Sequence, residues 1–362
     1  MLNKYAKLLT QYSLDLKAGE RLYIKSSTLA EPLIREVYRE AVKIGCHVKV
    51  DMGFRSQGKI LLDHANEEQL GYVDPSQVVA MENCDAYLYI RAPYNLKADR
   101  NVDQEKRKRR AEATKVLNKI YFDRLASGGL KRSLCQYPTQ ANAQEAGMSL
   151  EEYEHFVFDA CKLYEEDPVA AWLEVRASQQ RIVDFLNEKS KLRYKNKHSD
   201  ISFSVEGRTW INSDGMNNMP SGEVFSAPIE DSVNGFVTFD YPSIYMGQEA
   251  RGIKLTVKDG EVVEWTAERG QELLDQVFTV PGANFFGEVA IGTNYSIQKA
   301  TKNILFDEKI GGSVHMAVGQ SYGQCGGKNE SAIHWDMIAD MRDGGKIFAD
   351  DELIYEDGKF LI

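Results

Sequence analysis

Arg21-Leu22-Tyr23-Ile24-Lys25 is a short β-prone run, and the residues after it decide the fold class. Apolar residues recur at Leu33, Ile34, Val37, Tyr38, Ala41 and Val42, the spacing of one helix face, until Gly45 ends the pattern. Pro32 suits the first helical turn, where its missing N–H is no loss. A second β-prone run, His47-Val48-Lys49-Val50-Asp51-Met52, comes directly after, and a third, Asp85-Ala86-Tyr87-Leu88-Tyr89-Ile90, further on. Strand, helix, strand at this spacing is a βαβ unit, which predicts an α/β N-terminal domain with a mainly parallel sheet.

Working outward, Ser149 and Glu152 form a capping-box pattern ahead of a helix carrying Tyr153, Phe156, Val157, Ala160 and Cys161. Asp167-Pro168 opens another helix with Val169, Trp172, Leu173, Ile182, Val183 and Leu186 on its apolar face. The polar stretch from Lys189 to His198 then reads as a linker. Beyond it come short strands and glycine turns: Ile201–Val205, Gly252–Val257 and Glu261–Thr266, the last two joined through Lys258-Asp259-Gly260. A chain of 362 residues fits about two domains at roughly 150 residues each. The expected division is therefore an α/β domain over 1–195 and a β-rich α+β metal-binding domain over 196–362.

With 44 basic against 54 acidic residues the chain carries a formal charge of −10, which disfavours a protein that wraps nucleic acid or lies on an anionic membrane. No run approaches eighteen apolar residues, and the N-terminus lacks the apolar core of a signal peptide. The 5 cysteines are odd in number, scattered and without a CxxC pair, so reduced thiols and a cytoplasmic location are expected. The basic run Lys106-Arg107-Lys108-Arg109-Arg110 is the one feature that suggests a nucleic-acid-binding protein. Asp99, Asp103, Glu105 and Glu112 flank it in a helical pattern, which favours a solvated helix face and no nucleic-acid partner.

Four histidines, His47, His64, His155 and His198, show no ligand spacing. The other two differ. His315 stands in the apolar, glycine-bounded segment Gly311–Gly319, and His334 lies two residues from Asp336 in Ile333-His334-Trp335-Asp336-Met337. In a strand, alternation sends His334 and Asp336 to one face and Ile333, Trp335 and Met337 to the other. Such a pair either grips a metal or forms a simple hydrogen bond. Glu223 and Glu288 each follow a glycine and precede apolar residues, a setting in which a carboxylate needs a partner. Three carboxylates and two neutral imidazoles would balance two divalent ions and one hydroxide, as a dinuclear hydrolytic site requires.

The ordered motifs MPSGEVFSAP, GEVAIGTN, HMAVGQSY and IHWDMI, which contain these residues, closely resemble those of the thermophilic aminopeptidase family. The likeness reaches into the first domain at Leu134–Thr139 and Gln144–Ser149 and is most specific from Asn218 to Ile338. It implies a homodimeric dinuclear metalloexopeptidase acting on peptides with a free N-terminus, with Glu223, Glu288, His315, His334 and Asp336 as metal ligands. It also singles out Tyr322 as a catalytic residue at or beside the metals. The segment from Tyr322 to His334 is shorter than in longer members, and Gly323 stands where those often carry proline, which bears on substrate size.

The expected reaction is hydrolysis of the first peptide bond by water activated between two cations, with Tyr322 donating to the developing oxyanion. Nitrogen and oxygen ligands without thiolate suit zinc, cobalt or manganese and argue against calcium. A dinuclear phosphoesterase shares this logic, but no arginine or lysine motif lies near the ligands, and Gly326-Gly327-Lys328 lacks the spacing of a phosphate loop.

Overall fold

In the computed structural model, which describes residues 1–98 and 100–362, the chain divides into two units. One comprises Met1–Ala171 with Gly215–Pro220, the other Trp172–Asp214 with Ser221–Ile362. Asp99, one of the acidic residues beside the basic run, lies outside the described residues.

The first unit builds the expected βαβ pattern. Strand β1 (Arg21–Ser27) leads into helix α1 (Glu31–Ile44) and strand β2 (His47–Gly53). Helix α2 (Pro75–Asn83), strand β3 (Ala86–Arg91), helix α3 (Gln104–Ala126) and strand β4 (Lys131–Gln136) come next. β1 pairs in parallel with β2 on one side and β3 on the other, and β3 pairs in parallel with β4. The short strand Asn218–Met219 extends the sheet beyond β4, again in parallel. Capping fixes the helix starts as the sequence requires: Ser149 caps helix α4 (Leu150–Ala160) in a reciprocal capping box with Glu152.

The basic run lies in the first turns of α3 and holds its surroundings. Lys106 Nζ donates to the Ala65 carbonyl at 3.2 Å, Arg110 donates to the carbonyls of Leu70 and Tyr72, and Arg109 pairs with Glu67 at 3.7 Å. Much of this charge therefore serves the chain's own packing.

The linker expected at Lys189–His198 is corrected by the structure. Lys191–Asn196 is strand β5, paired antiparallel with β6 (Ser199–Ser204) across a tight turn. Leu192 and Tyr194 are buried while Lys191, Arg193 and Lys195 face out, so the polar composition was the outer face of a strand with period two. The division between units falls instead within helix α5 (Pro168–Asn187), at Ala171/Trp172, and Gly215–Pro220 returns to the first unit.

Among the described residues the second unit contains two larger antiparallel sheets and a two-stranded ribbon that pairs Ser243–Tyr245 with Gln248–Ala250. Its strands continue as β7 (Ile211–Ser213), β8 (Glu223–Ser226), β9 (Asn234–Phe239), β10 (Ile253–Lys258) and β11 (Glu261–Thr266). After helix α6 (Gln271–Val277) come β12 (Phe286–Gly292), β13 (Ser313–Gly319), β14 (His334–Asp340), β15 (Lys346–Ala349) and β16 (Glu352–Glu356). An eight-stranded sheet runs β11-β10-β9-β6-β5-β15-β16 and ends on Lys359–Phe360; a five-stranded sheet runs β14-β13-β12-β8-β7. Leu192, Phe203, Val237 and Leu255 of the larger sheet share one core with Val224, Ile291, Met316 and Trp335 of the smaller. The smaller sheet thus commits one face to the core and leaves the other for chemistry. Among the described residues, no helix is long and apolar enough to cross a membrane.

Candidate metal centre

The five-stranded sheet brings all the predicted ligands to its second face. In register, β8 places Glu223 opposite Gly292 and Phe225 opposite Ala290 of β12; β12 in turn places Glu288 opposite Ala317 of β13. On β14, Asp336 stands opposite Ala317 and His334 opposite Gly319, while His315 lies opposite Ala290. Directly paired residues share a face, so Glu223, Glu288, His315, His334 and Asp336 all project from one side. The intervening positions are Ala290, Gly292, Ala317 and Gly319, whose small side chains leave room above the sheet. The alternate positions, Val224, Val289, Ile291, Met316, Val318, Trp335 and Met337, fill the core, as the alternation around His334 and Asp336 predicts.

Two glycines set the geometry. Gly222, at φ +115°, precedes Glu223, and a Cβ there would meet Asn294 Cβ at 2.8 Å. At Gly287 a Cβ would lie 2.4 Å from the Gln320 carbonyl oxygen, so only glycine admits that carbonyl. The same oxygen accepts from His334 Nδ1 at 2.8 Å. A carbonyl only accepts, so Nδ1 carries a proton, and Nε2 faces the site, where it would offer its lone pair once the ring is neutral.

The functional atoms lie close together. His334 Nε2 is 3.2 Å from Glu288 and 3.6 Å from Asp336, and His315 Nε2 is 3.5 Å from Glu288 and 3.6 Å from Glu223. One ligand atom each from Glu288, His334 and Asp336 lie within 4.8 Å of one another. Tyr322 places its hydroxyl 3.5 Å from His334 Nε2, and its ring packs edge-on to Phe225 at 5.6 Å.

Glu308 and Lys309 also belong to this cluster, although neither stands out in the sequence as a site residue. Lys309 is fully buried, with Nζ 3.5 Å from Glu223 and in contact with Glu308. Their signal was a charged triplet, Asp307-Glu308-Lys309, wedged between Ile304-Leu305-Phe306 and Ile310. The Gln320 carbonyl, being backbone, had no signal of its own.

The electrostatics reflect concentrated burial. Burial alone would push the Glu288 and Asp336 carboxyls up, but the facing imidazoles outweigh it and hold both below the usual carboxylate range. Burial likewise disfavours a charged imidazole, yet the carboxylates raise His315 to about 9 and His334 to about 11. Burial and the nearby carboxylates push the Tyr322 phenol well up, so it keeps its proton and remains a donor. Lys309 keeps its charge: burial opposes it, but Glu223 and Glu308 prevail.

The residues fit a cation site on independent grounds. Glu223 Oε2 and Asp336 Oδ1 are buried without a hydrogen-bond partner among the described residues. Unsatisfied buried acceptors are costly, and a divalent cation satisfies carboxylate oxygens and neutral imidazole nitrogens together. The donor set of carboxylates and imidazoles, with no thiolate, matches zinc, cobalt or manganese. Lys309 is the lysine at the cluster, and its charge is already committed to two glutamates. A phosphate clamp therefore has no support, and neither does the nucleic-acid alternative.

The family model described as Thermophilic metalloprotease (M29) matches residues 1–360. Aminopeptidase 2 of Geobacillus stearothermophilus is 31% identical over 351 residues, covering 89% of this chain and 84% of that protein. Aminopeptidase PepS of Streptococcus thermophilus is 28% identical over 382 residues, covering 93% of this chain and 91% of its own. The solved structure of wild-type AmpT from Thermus thermophilus matches with a TM-score of 0.85 at 24% identity, covering 100% of this chain and 99% of that one, and so shares the fold. With a family model spanning nearly its full length and a relative of this identity and coverage, the chain belongs to the thermophilic metalloprotease family.

Proposed function

We propose that the chain is a metal-dependent aminopeptidase that hydrolyses the first peptide bond of peptides with a free N-terminus. The observation that carries this reading is the convergence of Glu223, Glu288, His315, His334 and Asp336 on one sheet face, with buried carboxylate oxygens of Glu223 and Asp336 unpartnered among the described residues. The named relatives are aminopeptidases, which supports the assignment of the reaction. These five residues would hold two divalent ions per subunit. Bound there, such ions supply Lewis acidity, polarising a carbonyl oxygen and lowering the pKa of water.

The chain's own groups do the rest. Gln320 holds His334 in the tautomer that presents Nε2, and Gly287 makes that contact possible. Tyr322 keeps its proton and so serves as donor to an oxygen that gains negative charge during attack. Phe225, packed against Tyr322, walls the site on the Glu223 side. Lys309, buried between Glu308 and Glu223, supplies positive charge beside them. Exopeptidase character would come from the substrate's free α-amine, which is a far better metal ligand than an internal amide nitrogen. A homodimer and a cytoplasmic location belong to the same reading; five free, buried cysteines support the second.

The test uses a leucyl anilide and its N-acetylated counterpart, first with metal-stripped protein and then after adding zinc, cobalt or manganese. Restored cleavage of the free-amine substrate alone is expected. Equal cleavage of both substrates, or activity indifferent to stripping, overturns the assignment. Light scattering reads the dimer separately.

A further inference from the structure

The parallel sheet of the first unit has a face that its fold leaves unexplained. Sheets of this type are ordinarily covered on both sides and apolar throughout. Here Leu22, Ile24, Leu88 and Ile90 are buried on one face, but the register sets Lys25 beside Asp51 and Tyr89 on the other. Helices α2 and α3 close only the start of that face, where Tyr23, Met81, Cys84 and Leu130 cluster with Tyr87 and Tyr121. Toward the carboxyl ends of the strands the face opens into a cavity of about 1430 Å³. It reaches Ser27 at the end of β1, Gly53 at the end of β2 and Arg91 at the end of β3. β1 is where the strand order reverses, with β2 on one side and β3 on the other. The crevice outside the carboxyl ends at such a reversal is where open α/β sheets bind ligands.

Its charge is opposite to that of the chain. Among the described lining residues 7 side chains are basic and 1 is acidic, against 44 and 54 in the whole sequence. The acidic one, Asp51, is already engaged, accepting from the Tyr23 hydroxyl at 3.0 Å and from Gln77 Nε2 at 3.1 Å. Lys59 is paired with Asp63 and Lys97 with Glu145, whereas Lys25 and Arg55 make no ion pair or side-chain hydrogen bond among the described residues. Phe54 and Tyr89 expose 56% and 42% of their surface there. A cleft lined by one sign of charge concentrates the opposite ion.

We propose that this cavity is a binding site for a small organic anion bearing phosphate or carboxylate, with Lys25 and Arg55 as its charge partners and Phe54 and Tyr89 against its apolar or planar part. The site is independent of the metal centre's assignment. Isothermal titration of the full-length protein with adenosine monophosphate, inorganic phosphate, N-acetylphenylalanine and N-acetylphenylalanine amide tests it. None of these probes carries a free α-amine. Binding of the nucleotide or the free carboxylate is expected, weakened by salt, with the amide inert. Tighter binding of the nucleotide supports a phosphate-bearing ligand, and tighter binding of the free acid a carboxylate. The double variant Lys25→Gln, Arg55→Gln, or Arg55→Gln alone should the pair not fold, weakens binding by ~10-fold or more. Lys258→Gln, in the other unit, leaves it unchanged. No binding of any anion, or binding that survives the Gln variants, overturns the proposal.

Discussion

Replacing Lys309 by methionine removes the buried ammonium among the carboxylates of the candidate metal centre while nearly keeping its volume. Lys309 has no exposed side-chain surface, and its Nζ lies 3.5 Å from Glu223 and against Glu308. At that distance a unit charge pair is worth about 5 kcal/mol at an effective dielectric near 20. Removing one partner of a buried pair costs about 3–5 kcal/mol, because the other charge stays behind uncompensated. Two glutamates would be left facing each other with only the imidazoles for relief. For a domain of this size about 2–4 °C is lost per kcal/mol, so the midpoint of metal-free protein should fall by roughly 6–20 °C. The assay is thermal and urea unfolding of metal-stripped Lys309→Met beside the parent, repeated after metal is added. Cations bound at Glu223 should replace part of the lost positive charge, so the deficit shrinks on loading. Adding Glu308→Gln should also recover part of it, since the pair is in direct contact. A change under about 1 kcal/mol in the metal-free protein would refute the picture of a dry, mutually dependent charge cluster.

Glu288→Gln and His334→Ala should each lower turnover by more than ~100-fold while far-ultraviolet circular dichroism stays as in the parent; full activity in both folded variants ends the ligand assignment. Metal uptake should expel protons, because His315 and His334 hold theirs up to about 9 and about 11 in the metal-free chain. Apparent affinity therefore rises with pH across the neutral range, and titration enthalpies should depend on the buffer's ionisation enthalpy; buffer-independent enthalpies contradict this. In the first unit, Arg21 hydrogen-bonds Asp85 through its side chain and backbone and holds that carboxyl below its ordinary value. A depressed carboxyl pKa stabilises the fold above the unfolded value and loses that contribution as pH falls through the folded one. Asp85→Asn should thus be destabilising at neutral pH and match the parent in strong acid, and a deficit constant with pH would show that the charge is not the cause.

Much of the centre was legible in the sequence because its residues break the rules of their surroundings. His334 and Asp336 share a strand face by alternation alone, and Glu223 and Glu288 stand among apolar residues where a carboxylate needs a partner. What local pattern does not contain is register. Whether Glu223 and Asp336 meet depends on the pairing of β8, β12, β13 and β14, elements separated by loops of unlike length. The motif resemblance supplied that association before the structure supplied its geometry. The linker error has the opposite origin. Lys191, Arg193 and Lys195 dominate the composition of their segment, yet Leu192 and Tyr194 between them are buried, so a period-two reading would have found β5. Glu308 and Lys309 were lost because adjacent charges look like surface, although each compensates the other in the interior.

That compensation also bears on how one sheet face carries so many acids. Glu223, Glu288, Glu308 and Asp336 bring four negative charges when ionised. Lys309 and two protonated imidazoles answer three of them, and the raised imidazole pKa values are the physical sign of it. Burial pushes the Glu308 carboxyl up to about 8, so near neutral pH it is the acid most readily protonated and the residual charge can vanish there. On the proposed loading, the imidazoles give up protons and divalent charge takes their place, with Lys309 unchanged throughout. Here the four strands are fixed by the apolar core beneath them, and the small residues Ala290, Gly292, Ala317 and Gly319 keep the opposite face open.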